Sequence, residues 1–118
     1  MRAAIAGLLL ALSACGAPAP HENPAKVAAR ALAAAPADTR LARLYGGACR
    51  ACHTQPSSGA PLALDHAAWD PRWAKGQDTL LNHTISGFNG MPAGGQCFAC
   101  TADDYRALII FMAGREQH

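Results

Sequence analysis

An all-α fold is predicted for this chain, because three stretches place apolar residues at helical spacing, two of them behind a capping residue. Asp38 precedes Leu41, Leu44, Tyr45 and Ala48, and Thr101 precedes Tyr105, Leu108, Ile109 and Met112. Between them, a helix over about 77–86 carries the stripe Leu81, Thr84, Ile85 and Phe88. An Asp or Thr at such a start accepts a hydrogen bond from an otherwise orphaned N–H of the first turn. Asp104, three residues after Thr101, completes the signature of a capping box. The first helix runs into one cysteine pair and the last follows another, and these two helices are expected to pack across each other. At 118 residues there is room for one small domain. Alanine supplies much of the 51% hydrophobic content and aromatics only 6%, so a staple or a bound cofactor is expected to complete the core.

Charge excludes one class of partner. Ten Lys and Arg stand against eight Asp and Glu, a formal +2, and the positive residues are scattered singly. No basic patch for nucleic acid follows from such a pattern.

Arg2, an apolar run from Ala3 to Leu12 and small residues to Ala14 read as a signal peptide over residues 1–14, far too short to span a bilayer. Leu12-Ser13-Ala14-Cys15 resembles the lipobox of bacterial lipoproteins, in which the cysteine takes diacylglycerol on sulfur and becomes the N-terminus. That resemblance implies a lipid anchor at Cys15 on the periplasmic side of a bacterial membrane; an ordinary secretory signal is the alternative. Residues 15–37 read as an Ala/Pro-rich tether. A short helix within it is conceivable, but the apolar stripe would be no wider than Val27, Leu32 and neighbouring alanines. The domain proper is expected over residues 38–118.

Cys49-Arg50-Ala51-Cys52-His53 is the attachment motif for c-type haem. Two thiols one turn apart add to the two vinyl groups, and the adjacent imidazole lies under the iron as an axial ligand. A structural disulfide would not call for His53. A thioredoxin-like redox pair would follow a strand, and here a helix precedes it. A zinc site of Cys49, Cys52, Cys97 and Cys100 has suitable ligand types, but 44 residues separate Cys52 from Cys97. With the ring and His53 supplying five positions around iron, candidates for the sixth are Met91, Met112, His66, His83 and open solvent. Met91 is favoured because Gly90-Met91-Pro92-Ala93-Gly94-Gly95 is a loop able to lie over one face of a planar group. Met112 belongs to the stripe of the last helix, and the two histidines fall at surface positions.

Cys97-Phe98-Ala99-Cys100 is followed by Thr101, not His, so it is no second attachment site. In an oxidising compartment a disulfide across two residues is expected, pinning the end of the Met91 loop to the last helix. A labile redox bridge is the alternative.

Over about residues 38–115 the chain resembles the class I c-type cytochromes, and specifically the cytochrome c5 family. Gly59-Ala60-Pro61, Ala67-Ala68-Trp69-Asp70-Pro71-Arg72, Phe88-Asn89-Gly90-Met91-Pro92 and the Cys97/Cys100 pair all fall in family order. The resemblance implies three to five helices wrapped around one covalent haem c, with His53 as proximal and Met91 as distal iron ligand. It also implies that the Pro61 carbonyl accepts from the His53 imidazole and that Cys97 and Cys100 form the family's disulfide. Two positions depart from the pattern. Leu41 stands where the family often has Gly, which implies a wider helix crossing or one shifted to put Ala42 against Phe111, and Phe88 stands where Tyr is common. Trp69, Arg72 and Trp73 fall either against the haem propionates or in ordinary core packing.

The function expected is electron transfer between respiratory redox proteins, a donor and an acceptor, with no small-molecule substrate and no catalysis of its own. A haem enzyme or gas sensor with a vacatable iron position, and a fixed subunit of a larger oxidoreductase, are the rivals.

Overall fold

The computed structural model describes residues 21–115, so Cys15, the signal segment and the start of the expected tether lie outside the described residues. Among those residues the regular elements are helical, apart from one isolated bridge between Phe88 and Met91.

Helix α1 (Pro24–Ala33) forms within the Ala/Pro-rich stretch expected over 15–37, where a short helix is one reading of the sequence. Asn23 caps it by accepting from the Ala25 N–H at 2.9 Å, and Pro24 sits in the first turn, where its missing N–H costs nothing. Val27 and Ala31, four residues apart, share a buried face. An Ala-rich helix offers little apolar area, yet it docks because small side chains let it approach closely. Pro36 disfavours helical backbone at Ala35, and the chain turns extended at Ala34.

Helix α2 (Thr39–Leu44), a π-helical turn (Tyr45–Cys49) and helix α3 (Arg50–His53) follow one another without a break. Asp38 caps the start by accepting from Leu41 N–H at 2.8 Å. In the π turn the Arg50 N–H bonds to the Tyr45 carbonyl, five residues back, and both Tyr45 and Cys49 turn inward. Such one-residue insertions recur at functional sites. After α3 a 3₁₀ turn (Pro56–Ser58) and an irregular segment lead to helix α4 (His66–Trp73), capped by Asp65.

Helix α5 (Gln77–Ser86) runs between Gly76 and Gly87. Its buried face is Leu80 and Leu81, packed on Ile109, whereas Ile85 and Phe88 are about half exposed. The expected stripe is therefore rotated, because Ile109 packs against Leu80 and Leu81. At Gly87 the backbone takes φ +84°, and an added Cβ would lie 3.0 Å from the Ala93 nitrogen and 3.1 Å from the Met91 oxygen. Only glycine lets the following loop fold back so closely.

Helix α6 (Ala102–Met112) starts with the expected capping box between Thr101 and Asp104. Asp104 also pairs with Arg40 of α2 through both carboxylate oxygens, one at 2.9 Å. Further along the crossing of α6 with α2 and its π turn, Tyr45 meets Phe111 edge to face at 5.0 Å. The Tyr45 ring fills the crossing, and Leu41 packs against the same cluster. Leu108 is fully buried there, a burial that contributes about 2–3 kcal/mol.

Candidate functional site

The π turn and α3 bring Cys49, Cys52 and His53 onto adjacent turns, with Cys49 and His53 buried and Cys52 exposed. Both thiols are free. Burial pushes the Cys49 thiol up to about 11, so before haem is attached it is the neutral S–H. Burial also lowers the His53 pKa, with the charge of Arg72 acting in the same direction and the Pro61 carbonyl opposing it. The imidazole is accordingly held neutral, the form that ligates a metal.

The orientation of that ring is set by its Nδ1 contact with the Pro61 oxygen, 2.7 Å away. A carbonyl can only accept, so Nδ1 carries the proton and Nε2 keeps its lone pair. The partner segment is bonded at each successive residue. The Ala63 N–H donates to the His53 carbonyl at 2.7 Å, and Trp69 Nε1 donates to the Leu62 carbonyl at 2.8 Å. The Trp69 ring itself lies 5.9 Å from that of His53. Trp69 thus belongs to the core under the histidine, while Arg72 turns back to the Ala68 carbonyl at 2.6 Å and Arg115 lies over the Trp73 ring.

Two free thiols one turn apart, followed by a buried neutral imidazole with its outer nitrogen free, fit haem c. The zinc alternative does not fit. Cys97 and Cys100 are bonded to each other, and among the described residues no three His, Cys, Asp or Glu side chains gather as a metal site. Haem c is held by thioethers at Cys49 and Cys52, with iron on His53, and when bound it supplies a one-electron ferric/ferrous couple.

Met91 is half-buried at the end of a tight hairpin, where Phe88 and Met91 exchange backbone hydrogen bonds at 3.0 and 2.9 Å across Asn89-Gly90. The loop continues into a 3₁₀ turn (Ala93–Gln96) with Gly94 and Gly95 at positive φ. A Cβ on Gly95 would touch the Met91 methyl at 3.4 Å, and one on Gly94 would lie 2.5 Å from the Tyr105 hydroxyl. The disulfide then closes the loop onto α6, with Cα atoms 5.4 Å apart. Tyr105 donates to the Cys97 carbonyl at 3.0 Å, a polar role that its place in an apolar stripe did not signal.

The other sixth-ligand candidates are otherwise engaged. Met112 is buried in the main core cluster. His66 is exposed, 3.5 Å from Asp70, and His83 stacks flat on Phe88 at 3.9 Å between centroids.

Known proteins align with this arrangement. Residues 36–112 match the family model described as cytochrome C oxidase, cbb3-type, subunit III. Cytochrome c5 of Azotobacter vinelandii is 44% identical over 56% of this chain and 82% of its own length. Cytochrome c5 of Ectopseudomonas mendocina is 43% identical over 56% of this chain and 78% of its own. Cytochrome c-555 of Chlorobaculum tepidum is 35% identical over 62% and 71% respectively. Since the family model spans the attachment motif, the Met91 loop and the helix crossing, and the relatives are 35–44% identical, the chain belongs to this family of small c-type cytochromes, class I and cytochrome c5-like.

Proposed function

We propose that this cytochrome is a lipid-anchored electron carrier with iron held between His53 and Met91, passing electrons between respiratory donor and acceptor proteins on the periplasmic side of a bacterial membrane. The observation that supports the reading is the His53 Nδ1 contact with the Pro61 carbonyl, which leaves the other ring nitrogen with a lone pair available to iron. The methionine loop supports it from the other side: a hairpin, three consecutive positive-φ residues and a disulfide constrain the backbone that carries Met91. With both axial positions filled, no substrate reaches the metal and the chain's residues act by tuning and shielding. A thioether ligand raises the potential relative to a second imidazole.

Spectra test the ligand pair. Met91→Ala keeps covalent haem but loses the methionine-to-iron charge-transfer band of the ferric protein; its persistence would exclude Met91. Ready binding of carbon monoxide to the ferrous wild type would instead favour an enzyme or sensor with a vacatable position.

The anchor rests on Leu12-Ser13-Ala14-Cys15. Cys15→Ser should release the protein from washed membranes, and mass spectrometry should find diacylglycerol on the wild type alone. The matched family description favours a second reading, a fixed subunit of a larger oxidase. Mild detergent extraction separates the two: a subunit stays with the complex, and a shuttle leaves as a single chain.

A further inference from the structure

α1 precedes the stretch matched by the family model, which begins at residue 36. It is nonetheless tied to the haem-binding part at two points. Arg30, in its last turn, is held by the Glu22 carboxylate at 2.8 Å and donates to the Leu64 carbonyl at 3.0 Å. Arg50, between the two haem cysteines, donates back to the Leu32 carbonyl at 2.9 Å. Between these ties, Ala31 is fully buried in the cluster that includes Cys49, Ala63 and Trp69, and Val27 lines a crevice with Pro56, Leu62 and Asp65.

Leu64 ends the segment that orients His53. It adopts φ +63°, a conformation costly for a residue with a Cβ, so contacts from outside must hold it. Two do: its N–H donates to the Met112 carbonyl at 2.7 Å, and its carbonyl accepts from Arg30. Three residues back, the Pro61 carbonyl meets His53.

We propose that α1 is a clamp on the proximal-ligand loop and that Arg30 is a positioning residue for His53, acting through Leu64. The proposal rests on haem c at Cys49, Cys52 and His53. A short Nδ1–H···O=C bond makes the imidazole a stronger donor, which favours the ferric state and lowers the potential. When Arg30 lets Leu64 go, the loop loosens, that bond weakens, the potential rises and the Nδ1 proton meets solvent more often.

The test uses the full-length holoprotein, with covalent haem first verified by mass; its absence from the wild type would refute the cytochrome reading itself, independently of the clamp. Arg30→Ala should raise the midpoint potential and speed exchange of the His53 Nδ1 proton, followed by NMR of the ferrous protein, by roughly tenfold or more, as loss of one charge-assisted hydrogen bond implies. Arg30→Lys, which keeps a donor, should recover most of both. Asp78→Asn breaks an exposed ion pair with Arg106 between α5 and α6 and should move neither. Unchanged potential and exchange in Arg30→Ala, with faster amide exchange at Val27 and Ala31, would overturn the proposal. If Arg30→Ala yields no holoprotein, Glu22→Gln decides: a smaller change in the same direction supports the clamp, and no change overturns it.

Discussion

Single residues at this site are held by backbone more than by side chains. His53 takes its direction from the Pro61 oxygen and its backbone anchor from Ala63. Met91 takes its place from a loop that needs glycine. At Gly87, φ +84° with ψ 151° is a region that other residues enter only at a cost of about 1–3 kcal/mol, and the close Ala93 nitrogen adds to it. Gly87→Ala should therefore lower Tm by roughly 4 °C or more in a domain of this size. A melting curve superimposable on the wild type would refute the close approach. The attachment residues were legible in the sequence because bond-forming chemistry demands one order at one spacing. The importance of Gly87 was not, since the atoms it avoids come from a turn several residues later.

Among the elements, the two capped helices match their sequence signals because capping and apolar period are local properties. Helix α5 was placed correctly but its face was not: Leu80 replaces Ile85 on the buried side, a choice made by Ile109 of α6. The π turn had no readable signal, since it shifts backbone bonds by one residue without changing the composition. The disulfide joins residues three apart, so it closes a very small loop and should contribute about 2 kcal/mol. Replacing both Cys97 and Cys100 by Ser should lower unfolding stability in denaturant by that amount and leave haem attachment intact. Loss of covalent haem in the double variant would show that the bridge does more than brace the loop.

At the scale of the molecule, α2 with its π turn is joined to α6 by a charged pair at one end and an aromatic pair at the other. The Arg40 guanidinium, helped by the Thr101 N–H, holds the Asp104 carboxyl well below the usual carboxylate range, against the effect of burial. A carboxyl depressed in the folded state stabilises it above its unfolded value of about 3.9, and that contribution fades as pH falls from there toward the folded value. The stability difference between wild type and Asp104→Asn should thus be full at pH 6–7 and shrink below about pH 4. A difference constant down to pH 3 would show that the pair acts by shape alone. Arg40 and Asp104 lie 64 positions apart, and no local pattern could pair them. The sequence by itself determined the helical class, the haem ligation motif, the cap residues and the short disulfide, because each depends on chemistry or spacing within a few residues. Only the tertiary structure decided that an Ala-rich stretch becomes a docked helix, that Tyr45 fills the crossing, and that Arg30 reaches the loop behind His53. Those outcomes depend on the shape of surfaces brought together from distant parts of the chain, where a fully buried alanine can matter as much as a larger side chain.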